Sequence, residues 1–126
     1  METARVLLVD AANVVGSRPD GWWRDRPGAA TRLVAGLRTA VRDGALQGPV
    51  VVVLEGAARA GAEPGTEQEV KVVHATGSGD DTLAGLAAPG SVLVSADREL
   101  GRRARAAGAE VVGPRWLLER MPDRST

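Results

Sequence analysis

Short apolar runs that end at an acid, separated by stretches of helical periodicity, recur along this chain and constrain its fold more than any other feature. Val6-Leu7-Leu8-Val9 closes on Asp10. An unbroken apolar run of this length reads as a strand covered on both faces, as in a parallel sheet. Val50 to Leu54 repeats the pattern and closes on Glu55, and Ser91 to Ser95 repeats it before Asp97. Val70 to His74 reads as a third, more exposed strand, and Val111-Val112 as a short fifth. Between them Ala30, Leu33, Val34, Leu37 and Val41 recur at helical spacing, which predicts a helix over about 28–42. Leu83 and Leu86 follow Asp80 in the same way, and Leu100, Ala104 and Ala107 follow Asp97. Pro114 suits the first turn of a closing helix that ends near Met121. The alternation predicts an α/β chain: a three-layer α/β/α sandwich with a central parallel sheet of about five strands. Gly16 to Gly28 reads as a loop, and the small, polar segment Gly56 to Glu69 as the most flexible part.

At 126 residues the chain has the size of one domain, 1–126, with about 122–126 as a short tail. Its 44% hydrophobic content is enough for one core. Sixteen basic residues balance sixteen acidic ones, which excludes binding to nucleic acid through bulk positive charge. Fifteen of the basic residues are Arg, with Lys71 the lone lysine. Coding bias explains that excess, and so does a use of Arg for bidentate phosphate contacts. Without cysteine there is no disulfide scaffold, thiolate zinc site or thiol nucleophile, and His74 alone provides no histidine pair for zinc. Asp10 and Asn13 interrupt the N-terminal apolar run, and no segment approaches the roughly 20 apolar residues of a membrane span. A cytoplasmic protein with no membrane partner is expected.

In a parallel sheet, ligands gather at the carboxyl ends of the strands. Asp10, Glu55, the pair Asp80-Asp81 and Asp97 all fall at strand exits, which brings acids to one rim. Helix capping accounts for Asp80, Asp81 or Asp97 taken singly. It accounts poorly for Asp10, after which a loop is expected. As a set, clustered carboxylates resist ionisation unless a cation neutralises them. Oxygen ligands without Cys or paired His point to Mg²⁺ or Mn²⁺, ions suited to phosphodiester cleavage.

Val9-Asp10-Ala11-Ala12-Asn13-Val14-Val15-Gly16 resembles the opening motif of the NYN/YacP branch of the PIN-like nuclease superfamily. Gly79-Asp80-Asp81-Thr82-Leu83 is similar to its central acidic motif. Val94-Ser95-Ala96-Asp97-Arg98-Glu99-Leu100 is similar to its third, with Arg105 to Ala109 beyond. The resemblance implies a PIN-like fold and a ribonuclease (a hydrolase) that cleaves RNA with Mg²⁺ or Mn²⁺. It makes Asp10, Asp81 and Asp97 the metal ligands, Asp80 an additional ligand or base, and Asn13 an orienting group. Three departures stand out: Ala11-Ala12 where many relatives carry Gly and an aromatic residue, Glu55-Gly56 for Asp-Gly, and a short 56–69 segment. They open a second reading, a catalytically inactive PIN-like module that binds RNA or a protein partner.

The loop after the first strand carries Arg18, Trp22, Trp23, Arg24 and Arg26. Arg18, Trp22, Arg24 and Arg26, with Ser95 and Arg98 of the third motif, are the candidate contacts to RNA, single-stranded or structured. A tryptophan there can stack on a base or plug the loop onto the sheet. The loop's exposed surface also offers a homodimer contact. An inhibitor protein is the expected partner if the chain is a toxin.

Overall fold

The computed structural model describes residues 5–122. The expected tail beyond residue 122 lies outside them. Strand β1, Val6–Asp10, is central in a six-stranded sheet. On one side it pairs with β2, Val50–Leu54, which pairs with β4, Val70–His74. On the other it pairs with β5, Ser91–Val94, which pairs with β6, Glu110–Val112. These pairings are all parallel. A short edge strand β3, Gly65–Glu67, adds antiparallel to β4, so the sheet is mixed and holds one strand more than the sequence suggests. All three residues of β3 are exposed, and an edge strand without apolar alternation leaves no mark in the sequence.

Side chains alternate across the sheet with the period of two that strand geometry imposes. Leu7, Val9, Val50, Val52, Leu54 and Val94 face one layer, made by α2 (Arg26–Arg42) and α5 (Pro114–Leu118). Leu33, Val34 and Leu37 of α2 and Leu117 of α5 complete that core. Leu8, Val53 and Leu93 face the opposite layer, where α3 (Gly79–Leu86) supplies Leu83 and α4 (Arg98–Ala106) supplies Leu100 and Ala104. The three layers are thus an α/β/α sandwich with a core on each face of the sheet. Among the described residues no helix is long and apolar enough to cross a membrane.

Two local expectations are corrected. A helix, α1 (Ala11–Gly16), starts directly after Asp10, where a loop is expected. It spans six residues, too few for a helical repeat to register, and it is held by Ala11 and Val14 in the core. Gly56–Glu69 is ordered: a 3₁₀ turn at Gly56–Gly61 leads into β3. Tertiary hydrogen bonds fix it, with Thr31 Oγ1 donating to the Gly61 carbonyl at 2.6 Å and His74 Nε2 bonded to the Ala62 carbonyl at 2.7 Å. His74 is thereby tied to structure.

The chain runs outward from β1 through β2 to β4, then returns past β1 to form β5 and β6. The strand order therefore reverses between β1 and β5. That position at the carboxyl edge is where open α/β sheets form their crevice.

Candidate active site at the carboxyl edge of the sheet

Asp10 ends β1 inside this crevice and is 5% exposed. Its Oδ1 accepts from the Asn13 N–H at 3.3 Å and caps α1, and its Oδ2 accepts from the Ser95 hydroxyl at 2.8 Å. Burial raises its pKa above the ordinary carboxyl value. The bonds from Ser95 and Asn13 oppose that shift, and the charges of Asp80 and Glu55 add to it. Asn13 leaves the first turn of α1 and accepts from the Ala96 N–H at 2.7 Å, joining the β1 exit to the β5 exit. The Ser95 hydroxyl also accepts from the Asp97 N–H at 3.1 Å. Asp97 caps α4 by accepting from the Leu100 N–H at 2.8 Å.

Ser78 caps α3 through a bond from the Asp80 N–H at 3.1 Å, which puts Asp80 and Asp81 in the first helical turn. Neighbouring residues on a helix point about 100° apart, so the two acids part company. Asp81 is exposed and pairs through Oδ1 with Arg103 of α4 at 3.1 Å. Asp80 is half-buried, and its pKa is raised by burial first, then by the charges of Asp97 and Glu55, with Arg103 opposing and Asp81 adding a little. The resemblance gives the ligand role to Asp81 and the assisting role to Asp80, whereas the geometry brings Asp80 to the shared field. Glu55, at the exit of β2, completes that field, and its Oε2 accepts from the Gly79 N–H at 3.1 Å. It is not among the sequence's candidate ligands, although its place at a strand exit was the signal available.

Ser95, expected among the substrate contacts, is buried between the exits of β1 and β5. It is 3% exposed and its hydroxyl is engaged by both carboxylate-bearing residues. Arg98 is exposed in the first turn of α4, beside the rim. In the loop after α1, a 3₁₀ turn at Trp22–Arg24 sets Trp22 and Trp23 edge to face, 6.0 Å apart. Arg26 lies over Trp22 at 5.3 Å and Arg24 over Trp23 at 5.7 Å. Trp22 is half-buried and lines a cleft with Glu55, whereas Trp23 is 54% exposed. Arg18 is half-buried and lines a separate small hollow with Val14, Asp20 and Arg32.

No family model matches this chain, and no curated protein matches it in sequence. A solved structure does. Rae1 (YacP) from Bacillus subtilis, as a W164L mutant, superposes with a TM-score of 0.65 over 91% of this chain and 73% of that one. The fold is YacP-like. At 21% identity the likeness rests on backbone architecture, and what it shows is the fold. In the YacP-like frame, the order reversal between β1 and β5 holds Asp10, Asn13, Ser95 and Asp97 within one hydrogen-bonded set.

The donors available to a cation are all hard oxygens, suited to Mg²⁺ or Mn²⁺. Among the described residues no three acidic or histidine side chains stand together as a ready-made ligand set. Mg²⁺ is commonly held by one or two carboxylates, with waters and substrate phosphate filling the remaining positions. The rim fits an ion of that kind. Burial first, and then the charges of neighbouring acids, raise Asp10 and Asp80, and a cation would offset the charge that both resist carrying.

Proposed function

We propose that this chain is a divalent-metal-dependent endoribonuclease acting at the acidic rim. The observation that carries the reading is the shared field of Asp10, Glu55, Asp80 and Asp97, delivered by successive strand exits. Asp80, with Asp10 or Asp97, would hold Mg²⁺ or Mn²⁺, water and substrate phosphate filling the other positions, and Glu55 lies beside them. Such an ion activates water and offsets the charge that develops on the phosphodiester. Asp80 has its pKa raised and both carboxyl oxygens free of hydrogen bonds among the described residues, so it suits the acceptance of a proton from the attacking water. Asn13 and Ser95 fix the positions of Asp10 and Asp97. Arg98, Arg24 and Arg26 meet phosphate, where Arg forms bidentate bonds.

The test is cleavage of single-stranded and structured RNA with Mg²⁺ or Mn²⁺, with Asp97→Asn as the control. Asn caps helices about as well as Asp, so α4 should be kept while activity falls by about a hundredfold or more. Failure of the wild type to cut any RNA, or an undiminished Asp97→Asn, would overturn the proposal.

One observation favours a second reading, the inactive PIN-like module. Asp10, Glu55 and Asp97 each accept from a backbone N–H, and no three acids among the described residues form a ligand set. Thermal unfolding during Mn²⁺ titration separates the two, because a binding site stabilises the protein as the ion concentration rises past its dissociation constant.

A further inference from the structure

Beside the rim, and sharing Glu55 with it, lies a cleft of about 270 Å³. Trp22, Arg26, Glu55, Ala12, Ala57 and Ala58 line it. Ala12 stands two residues after Asp10, so the cleft opens at the carboxyl end of β1. Its volume is at the small end of ligand pockets, which run upward from about 300 Å³, and suits one flat ring with its sugar. The alanines present methyl groups only. Trp22 and the guanidinium of Arg26 above it are both groups on which a base stacks. Glu55 supplies the polar end: Oε2 accepts from the Gly79 N–H, and Oε1 has no hydrogen bond among the described residues.

We propose that this cleft is a base-specificity subsite, which takes an unpaired nucleobase bearing an exocyclic amino group from single-stranded RNA. A free carboxylate oxygen accepts from an amino group, as it does from the N4 amine of cytosine, and repels the carbonyl oxygen that uracil carries there. Because Glu55 lines the cleft and also raises Asp10 and Asp80 by its charge, a base in the cleft would lie next to the acidic rim. A duplex cannot deliver a base to the cleft without unstacking it, which directs the enzyme to unpaired segments. The subsite deepens the nuclease reading and rests on it for its role in cleavage.

The experiment is ¹H–¹⁵N NMR titration of the full chain with cytidine and, separately, uridine, without divalent metal, so that neither cleavage nor phosphate charge enters. Cytidine is expected to shift the Trp22 indole N–H and the amides of Gly56, Ala57 and Ala58, and to bind about fivefold or more tighter than uridine. Ala57 is exposed, so Ala57→Trp fills the cleft without disturbing the core, and Ala57→Leu is a milder fill if the larger one unfolds. Either should abolish the shifts and lower cleavage of single-stranded RNA by about tenfold. No shifts with either nucleoside, equal affinity for the two, or shifts unchanged in both filled variants would overturn the subsite. Cleavage that ignores both fills would overturn it too and leave the nuclease reading standing. Cytidine-selective shifts in a protein that cuts no RNA would sink the nuclease reading alone.

Discussion

The Ser95 hydroxyl donates to Asp10 Oδ2 across 2.8 Å, from the exit of β5 to the exit of β1. It accepts at the same time from the Asp97 N–H, so one buried oxygen joins two acidic residues that lie 87 residues apart in sequence (97 − 10). A buried acid without such a donor bears the cost of burial uncompensated.

Removing that hydroxyl should therefore be felt in stability. Ser95→Ala leaves Asp10 Oδ2 and the Asp97 N–H short of a partner, and is expected to cost about 1–3 kcal/mol. Urea unfolding checks this through the transition midpoint. An unchanged midpoint would mean that water replaces the hydroxyl without loss.

Asp80 and Asp81 are expected to separate under substitution. Asp80→Asn removes the rim acid and should lower kcat by about a hundredfold or more, the scale of a proton-transfer group. Asp81→Asn breaks only the exposed pair with Arg103, which contributes at most about 1 kcal/mol, and should leave kcat within about threefold. The reverse ranking in single-turnover cleavage would return the role to Asp81.

The raised pKa values of Asp10 and Asp80 set a pH dependence of stability. An acid raised above 3.8 in the folded state holds its proton more tightly there than in the unfolded chain. Its contribution to stability therefore falls as pH rises from the ordinary carboxyl value through the folded one. At neutral pH both acids carry that penalty, so Asp80→Asn should melt higher than wild type. Below the ordinary carboxyl pKa the acid is protonated in both states, and the gain should vanish. Melting curves of the two proteins across the acid range test this, and an equal gain throughout would contradict it.

Gly61 is where the ordered 56–61 turn meets α2. A Cβ there would stand 2.1 Å from the Pro27 carbonyl oxygen and 2.9 Å from the Ala30 methyl. Gly61→Ala is therefore expected to destabilise by about 1–3 kcal/mol, as overpacking does, and to loosen the bond from Thr31 to Gly61. Amide exchange at residues 56–62 reads the loosening directly.

Much of the fold is legible in the sequence. The runs at Val6, Val50 and Ser91 became β1, β2 and β5, and the spacing of Leu33, Val34 and Leu37 became the buried face of α2. Short-range patterns of this kind record burial, and burial in an α/β protein nearly dictates layer order. What escaped was held by contacts between distant residues. The 56–69 segment has no apolar period because Thr31 and His74 secure it through backbone carbonyls. The six-residue α1 is too short to show one.

By itself the sequence determined that acids would leave the strands at one edge of a parallel α/β sheet, because strand polarity puts every exit on the same side. The tertiary structure decided which of them share a field. It left Asp80 half-buried within reach of the charges of Asp97 and Glu55, and paired Asp81 with Arg103. It also buried Ser95 between Asp10 and Asp97. The reason is geometric: the direction of a side chain depends on its helical phase and on how the crossovers bring strands together, and neither is written in residue type.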